Sequence, residues 1–276
     1  MSQINSEKCI VCASNNFRLY LAGAMGEEIF YCAGCGLVFT HPRPSRDELK
    51  KRYDESYYSY WITPLQQKRR VKLWMGRAKI IQQLKLKGQI LDVGCGTGLF
   101  LHICQKMGYS VCGTEISSFA VEYCKKEYGI SVDNTSLEDS RFKPESFDII
   151  TFWHVAEHLA WPQKVLEKAR ELLKSEGYLV IAVPNVESKI SHNFYRLLRG
   201  IYCPLYTADS KEPHLFHFST KTLKFLLEKC GFRVIRITAD FAQVDPRWKV
   251  IERIAFGVSK ITGKDWYDSI LMVAKK

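Results

Sequence analysis

The spacing of apolar residues changes at Gly88 and divides the chain into two parts. After Gly88, short apolar runs alternate with segments of helical spacing, and they predict strands at 89–93, 109–115, 130–133, 147–152, 177–183, 232–238 and 269–274. This alternation is typical of an α/β fold in which helices cover both faces of a mostly parallel sheet. We therefore expect seven strands with intervening helices in one large domain.

Before Gly88, residues 61–87 have the pattern of a single helix. Apolar residues recur there at helical spacing, at Val71, Trp74, Met75, Ala78, Ile81 and Leu84. Residues 61–90 also contain eight Lys or Arg and no Asp or Glu. These cations fit either a solvated helix face or a face that contacts phosphate or a membrane. The pattern predicts a helix that links an N-terminal module, residues 1–60, to a main domain, residues 61–276.

Four cysteines in two Cys-x-x-Cys pairs mark the N-terminal module. Cys9 and Cys12 are separated from Cys32 and Cys35 by nineteen residues. Two tight turns at this spacing bring four thiolates to the corners of a tetrahedron, which predicts a structural zinc site in a zinc-ribbon module. A redox-active dithiol is the alternative interpretation of such a pair.

The rest of the N-terminal module contains turn and capping signals. Gly34 and Gly36 can supply positive φ angles in the second cysteine turn, and the stretch from Phe17 to Tyr31 is predicted to form a hairpin. Ser45, followed three residues later by Glu48, predicts a capping box at the start of a short helix.

Length and composition limit the class of protein. A chain of 276 residues with 46% apolar residues is long enough for a packed α/β domain and a small module. It contains no run of eighteen apolar residues and no N-terminal secretory signal, so we expect a soluble, cytoplasmic protein. The net charge of +11 is concentrated in residues 61–90 and in the C-terminal third, which does not predict a uniform nucleic-acid-binding face.

A glycine-rich turn follows the first strand of the main domain. Asp92 precedes Gly94, Gly96 and Gly98, and a helix is predicted directly after them. Dinucleotide-binding enzymes use a similar turn, but an acid at the strand end suits a ligand with an ammonium group better than a pyrophosphate. The next strand ends at Glu115, where a carboxylate can accept hydrogen bonds from both hydroxyls of a ribose.

Five ordered motifs over residues 88 to about 238 resemble class I S-adenosylmethionine-dependent methyltransferases, and within them the bacterial group related to ubiquinone-biosynthesis methyltransferases. The motifs are Asp92-Val-Gly-Cys-Gly-Thr-Gly98 with Glu115, Ser146-Phe-Asp-Ile-Ile150, His154-Val-Ala-Glu-His-Leu159, Leu173-Lys-Ser-Glu-Gly-Tyr-Leu179, and His214-Leu-Phe-His-Phe-Ser219 before a helix that ends at Cys230-Gly-Phe232. The resemblance implies a Rossmann-like sheet whose last strand is antiparallel.

The resemblance also implies the cofactor, S-adenosyl-L-methionine, and the residues that hold it. These are Asp92, Gly94, Gly96, Gly98, Glu115, Ile116, Leu137, Glu138 and His154. Ser136 occupies the position where many relatives have an Asp against the adenine amino group, which is a departure from the family pattern. Leu137 and Glu138 are then the expected neighbours of the adenine.

Several histidines are candidates for proton transfer. An alcohol, phenol or carbon acid must lose a proton during methylation, and imidazole has a suitable pKa. We expect His154 and His214 to be catalytic, with His158 and His217 as further candidates, although each could instead pack or orient a loop. His154, Glu157 and His158 also spell the His-x-x-Glu-His motif of one metallopeptidase class, but a strand before it and Pro162 after it leave no long helix for that chemistry.

A long connection, residues 185–217, is predicted to form a lid over the acceptor pocket. Residues 194–202 within it are rich in aromatic and cationic side chains and could contact a membrane surface. By analogy with sugar-modifying methyltransferases that carry zinc modules, we expect a small-molecule acceptor such as a sugar, a quinone precursor or a secondary metabolite, methylated on oxygen or carbon. The alternatives are an RNA methyltransferase with a zinc-bound recognition module and a non-catalytic zinc-ribbon adaptor that binds the cofactor.

Overall fold

A computed structural model describes residues 8–22, 28–199, 205, 213–241 and 246–276. The N-terminal elements are β1 (Phe17–Ala22), β2 (Glu28–Cys32), β3 (Val38–His41), α1 (Arg46–Arg52), α2 (Glu55–Trp61) and α3 (Pro64–Leu84). They are followed by β4 (Gln89–Val93), α4 (Leu99–Lys106), β5 (Ser110–Thr114), α5 (Ser118–Tyr128), β6 (Phe147–Trp153), α6 (Pro162–Leu172), β7 (Leu173–Pro184), α7 (Lys189–Arg199), β8 (Phe216–His217), α8 (Thr220–Lys229), β9 (Arg233–Ala239), α9 (Pro246–Thr262) and β10 (Ser269–Lys275). Short 3-10 helices lie at Leu137–Asp139 and Ala156–His158.

The main sheet has six strands in the order β5-β4-β6-β7-β10-β9. The strands β5, β4, β6 and β7 are parallel, and β10 inserts antiparallel between β7 and β9. All seven residues of β6 are buried, as expected for a central strand covered on both faces. The α/β class, the Rossmann-like order and the antiparallel last strand are therefore confirmed.

The seventh strand, predicted at 130–133, is not formed. This segment makes only an isolated parallel bridge between Thr114 and Asp133. Two backbone hydrogen bonds hold it, from Asp133 N–H to the carbonyl of Gly113 and from Glu115 N–H to the carbonyl of Asp133. The chain then turns towards the 3-10 helix Leu137–Asp139, so the ladder ends after one residue pair.

A second, antiparallel sheet has the order β1-β2-β3-β8. The predicted hairpin corresponds to β1 and β2, and residues 23–27 at its tip lie outside the described residues. The fourth strand, β8, comes from beyond β7 and pairs with β3 through Val38 with His217 and Phe39 with Phe216. Pairing of β3 with β8 fixes the segment that carries His214 and His217 against the N-terminal module.

The helices between the two sheets agree with the sequence in most respects. Ser45 and Glu48 form the predicted capping box at the start of α1. The predicted linking helix is α3, but Val71 and Met75 are exposed on it whereas Arg77 is buried. The apolar spacing was therefore correct for the helix and wrong for part of its buried face, because Arg77 takes a buried position beside a carboxylate described below.

The predicted lid, residues 185–217, begins as α7 and ends in β8. Residues 200–204 and 206–212 lie outside the described residues, so the predicted covering of the pocket is not tested. Of the segment 194–202, residues 194–199 lie in α7, and its predicted membrane contact is not tested either. The start of the lid is anchored where Asn185 N–H donates to the carbonyl of Asp268 and Lys189 N–H donates to that of Asp265. Among the described residues, no helix combines the length and apolar character needed to cross a bilayer.

Candidate active site

Neighbouring side chains leave no room for a Cβ atom at two positions of the glycine turn after β4. Gly94 and Gly98 have φ angles of 64° and 78°, values that side chains rarely allow. A Cβ atom on Gly98 would lie 2.6 Å from Sγ of Cys124, and one on Gly94 would lie 2.9 Å from Cγ2 of Val155. Both positions therefore require glycine, and Gly98 serves as the N-cap of α4.

Glu115 ties this turn to the end of the neighbouring strand. Its carboxylate is buried and accepts hydrogen bonds from the backbone N–H groups of Gly96 and Ser117, each at 2.9 Å. Burial raises the pKa of Glu115, while the two amides oppose that increase. Because each carboxylate oxygen has a second lone pair, Glu115 can still accept hydrogen bonds from a diol.

Asp92 lies at the floor of the same region. Its carboxylate is buried and accepts a hydrogen bond of 2.6 Å from the hydroxyl of Thr151. Burial raises the pKa of Asp92 to about 7, because few polar groups replace the water it has lost. A cationic ligand beside Asp92 would restore its ionised form, which agrees with the predicted contact to an ammonium group.

A cavity of about 710 Å³ is lined by these residues and by His158 and His214, and its volume is within the ~300–1,000 Å³ usual for small-molecule sites. Almost all predicted cofactor residues line it, together with the predicted catalytic His214: Asp92, Gly94, Gly96, Glu115, Ile116, Leu137, Glu138 and His154. Gly98 does not line it and contributes through the start of α4 instead. The geometry therefore brings the predicted set together.

A buried ionic cluster centred on His154 forms part of the cavity wall. Nε2 of His154 lies 3.1 Å from Oδ2 of Asp240, and Nδ1 lies 3.5 Å from Oε1 of Glu157. Asp240 also accepts hydrogen bonds from the guanidinium of Arg77, at 2.5 and 3.3 Å. The cluster thus contains two carboxylates, Asp240 and Glu157, which balance the charges of Arg77 and a protonated His154.

These contacts fix the protonation state of His154. Burial lowers the pKa of this imidazole, but the hydrogen bond to Asp240 and the proximity of Glu157 outweigh burial and raise the pKa to about 9. The geometry leads to the same conclusion, because a neutral ring that donates from Nε2 would point the lone pair of Nδ1 at the Glu157 carboxylate. Conversely, burial raises the pKa of Glu157, but His154 and the other histidines reverse this effect and hold it at about 2.

The other histidines of the cluster are in different states. Nδ1 of His158 lies 2.8 Å from the carbonyl oxygen of Pro213, so Nδ1 must carry the proton and Nε2 is the acceptor in the neutral ring. Burial lowers the pKa of His214 to about 3 and that of His217 to about 4, so both are neutral at pH 7. His158 and His214 line the cavity, whereas His217 does not.

Two groups of side chains among the described residues are close enough to share a cation. Glu157, His158 and His214 offer one ligand atom each within 4.8 Å of one another. The sequence motif containing Glu157 and His158 lies in a 3-10 helix of three residues, Ala156–His158, and not in the long helix of a metallopeptidase. This supports the rejection of that class.

The second group contains the four predicted zinc ligands, whose sulfur atoms also lie within 4.8 Å of one another. Sγ atoms are 3.5 Å apart in the pairs Cys9–Cys35 and Cys12–Cys32, and no disulfide joins them. Gly36 has the predicted positive φ of 91°, but Gly34 does not. Gly34 is needed for a different reason, since a Cβ atom there would lie 3.0 Å from Sγ of Cys12.

Sequence reasoning missed several residues of the cavity wall. Tyr58 on α2 is buried beside Glu115 and stacks on Phe119 at 6.3 Å, and burial raises its pKa well above the usual value. Arg77, which also lines the cavity, was missed, as was Asp240, which pairs with Arg77 and His154. The helical spacing did indicate that Arg77 is buried, because it falls three residues after Trp74 and four before Ile81 on the apolar face. Asp240 is a single acid after a strand, and no local pattern indicates its role.

The fold and the cavity define a class I methyltransferase, and comparisons with known proteins agree. The sequence profile of the family described as "Methyltransferase domain" matches residues 65–237. A ubiquinone biosynthesis O-methyltransferase from Actinobacillus pleuropneumoniae is 26% identical over 171 residues, 50% of this chain and 73% of that protein. One from Chelativorans sp. is 35% identical over 102 residues, 35% of this chain and 40% of that protein.

Among solved structures, an S-adenosylmethionine-dependent methyltransferase from Archaeoglobus fulgidus has a TM-score of 0.55 at 23% identity, covering 75% of this chain and 94% of that one. This chain belongs to the methyltransferase family. It is an S-adenosylmethionine-dependent methyltransferase.

Proposed function

We propose that the chain transfers a methyl group to an oxygen, or a carbon, of a small-molecule acceptor such as a sugar, a quinone precursor or a secondary metabolite. The observation that carries this proposal is the single cavity that joins the cofactor residues to the histidine cluster. Asp92 and Glu115 line this cavity together with His154, His158 and His214. An acceptor beside the histidines would therefore meet groups that can accept a proton close to the methyl donor.

The residues around the glycine turn fit S-adenosyl-L-methionine. Asp92 would bind its ammonium group, Glu115 its ribose hydroxyls, and Leu137 and Glu138 its adenine. The bound cofactor supplies an electrophilic methyl group, so the protein chiefly positions the acceptor and excludes water. Tyr58, held between Glu115 and Phe119, closes the wall of this part of the cavity.

Proton removal from the acceptor is best supported for His158, and His214 is the weaker base because burial lowers its pKa to about 3. Both line the cavity, and in its neutral form His158 has its lone pair at Nε2, because its Nδ1–H group donates to the carbonyl oxygen of Pro213. His154 is already protonated between Asp240 and Glu157, so we assign it a different role from the base expected from sequence. Its two N–H groups face those carboxylates, so it would act on a deprotonated acceptor oxygen through its positive charge.

The spacing of the four cysteine sulfur atoms supports a metal site in the N-terminal module. In a tetrahedral site with Zn–S bonds of ~2.3 Å, sulfur atoms lie about 3.8 Å apart, close to the spacing of Cys9, Cys12, Cys32 and Cys35. We propose a structural zinc there, since four ligands leave no open position.

RNA methylation and a cofactor-binding adaptor without turnover are not favoured, because the cavity is of small-molecule size and contains proton-transfer groups.

An acceptor screen tests the function. Purified protein and S-adenosylmethionine would be incubated with catechols and phenols, with sugar nucleotides, or with transfer RNA, and formation of S-adenosylhomocysteine would be measured. We expect turnover with a small hydroxylated compound and none with RNA. Turnover only with RNA would select the RNA alternative, and tight binding of S-adenosylhomocysteine without turnover of any pool would select the adaptor.

A further inference from the structure

The helix α9 is an insertion between two strands that need only a turn. Strands β9 and β10 are antiparallel neighbours, and such pairs are usually joined by ~2–5 residues. Here residues 240–268 lie between them and contain the 17-residue helix α9. None of the described side chains of this helix, residues 249–262, lines the cavity described above. Its sequence is therefore not required by the strand connection or by the cofactor site.

One face of α9 packs on the protein body. Ala255 and Glu252 are buried on that face. Phe256 contacts Phe241 and Tyr267, with ring centroids 5.8 and 6.0 Å apart. The only acidic residue in the sequence of α9 is Glu252, so the outward surface of the helix contains no carboxylate.

The outward surface of α9 consists of two parallel rows. The apolar row is formed by Val250, Ile254 and Ile261, which are 56%, 62% and 87% exposed. The cationic row is formed by Lys249, Arg253 and Lys260, each one residue before a member of the apolar row. Arg253 is exposed, Lys249 is half-buried, and Nζ of Lys260 lies 4.9 Å from the ring centroid of Phe256 at the edge of the outward surface. Positions with offsets of 0, 4 and 11 residues share a helix face at 3.6 residues per turn, so the rows run side by side.

We propose that α9 binds the enzyme to the surface of an anionic lipid bilayer, with the apolar row among the acyl chains and the cationic row at the headgroups. A helix that carries an exposed apolar stripe beside cations has the pattern of an interfacial helix. Its length and charge do not suit a span. The charge of α9 favours an anionic lipid surface as its partner, because such a surface would contact three cations and no exposed carboxylate of this helix.

A second copy of the chain is the main competing occupant. In a two-fold antiparallel pairing of α9 helices, equivalent flanks face each other, so the two cationic rows would meet and repel. The segment that follows α9 contacts the start of α7, since Ser188 donates to Asp268 at 2.5 Å.

Vesicle binding of the whole protein tests this proposal. Sedimentation would be measured with vesicles of phosphatidylcholine alone and of phosphatidylcholine with phosphatidylglycerol. We expect binding to the anionic vesicles, reduced by about tenfold or more for each isoleucine in Ile254→Glu and Ile261→Glu. Neutralising the cationic row, with K249Q, R253Q and K260Q, should cost about fivefold per residue on anionic vesicles only.

Leu86→Glu is the matched control, because Leu86 is an exposed apolar residue that follows α3 rather than lying on α9. It should bind vesicles like the unmodified chain. All variants should keep their thermal unfolding midpoint and their affinity for S-adenosylhomocysteine, which shows that folding is intact. The proposal is overturned if the unmodified chain does not bind vesicles, or if the glutamate variants bind them equally well. It is also overturned if the chain binds no vesicles but forms a dimer in sedimentation velocity that the glutamate variants dissociate.

Discussion

Asp240, at the end of β9, holds Nε2 of His154 at 3.1 Å. The same carboxylate is paired with Arg77 of α3, and the ion pair is buried. Although burial opposes ionisation, Arg77 and His154 together hold the pKa of Asp240 well below its usual range. Three separate elements thus meet at one carboxylate, which sets the charge of an imidazole that faces the cavity.

The first prediction concerns stability and pH at this contact. His154 has a folded-state pKa of about 9, above the ~6.5 expected in the unfolded chain. Its contribution to stability is therefore complete below pH ~6.5 and is lost as the pH rises through about 9. Allowing for the partial exposure of the ring, we expect a loss of about 1–2 kcal/mol in the free energy of unfolding.

Asp240→Asn should reduce this dependence, because only Glu157 then supports the imidazolium. It should also lower stability at every pH by about 3–5 kcal/mol, since Arg77 is left buried without its carboxylate. Urea unfolding at pH 6, 7.5 and 9 would measure both effects. Glu122→Gln on the exposed side of α5 is the control. Curves for Asp240→Asn that keep the full loss between pH 6 and 9 would contradict the assignment.

The sequence predicts the parts of the fold and site that depend on neighbouring residues, and it misses those that depend on contacts between residues far apart in the chain. The glycine turn, Asp92 and Glu115 follow from a strand–turn–helix pattern, because adjacent parallel strands bring their ends together wherever the fold forms. The strand at 130–133 failed because a short apolar run does not reveal how many ladder bonds it will make. The pairing of Arg77 with Asp240 spans 163 residues and has no local pattern. Such contacts depend on tertiary packing.

The second prediction separates the histidines by role. His158→Gln and His214→Gln should each lower kcat for an oxygen acceptor if that residue is the base, by about 10²–10⁴ for the residue that acts. Affinity for S-adenosylhomocysteine should not change, because that ligand has no proton to transfer. Steady-state kinetics and calorimetry would measure the two quantities.

His217→Gln is the comparison for these variants, since His217 lies outside the cavity wall and belongs to β8. It should affect stability more than kcat. A normal kcat in both His158→Gln and His214→Gln would remove these residues from the reaction. A drop in kcat for His217→Gln as large as for the other two would mean that the substitutions disturb the fold and not a proton transfer.

The third prediction concerns Glu115 as a cofactor residue. In Glu115→Gln, one oxygen becomes an amino group that faces the N–H of Gly96 or Ser117, so one buried hydrogen bond is lost. The turn then shifts, and an acceptor for the ribose is removed. We expect the affinity for S-adenosylhomocysteine to fall by about 10- to 100-fold. Calorimetry would measure it, and Glu122→Gln should stay within about twofold. Equal affinities in the two variants would exclude this role.

The fourth prediction concerns the metal content of the N-terminal module. The four sulfur atoms of Cys9, Cys12, Cys32 and Cys35 lie close together without a disulfide, which predicts one zinc per chain by elemental analysis. Cys12→Ser should release the metal. It should also lower the midpoint of thermal unfolding, because the two cysteine turns, which bring Gly34 close to Cys12, lose the metal ion that joins them.

Cys112→Ala is the matched control, since Cys112 lies on β5 in the other sheet and should keep the zinc. The module shares a sheet with β8, so loss of zinc should also loosen the segment that carries His214. Hydrogen exchange at Phe216 and His217 would therefore rise in Cys12→Ser and not in Cys112→Ala. Zinc-free protein with unchanged protection at β8 would show that the cysteines pack as thiols, and that the module supports the active site without a metal.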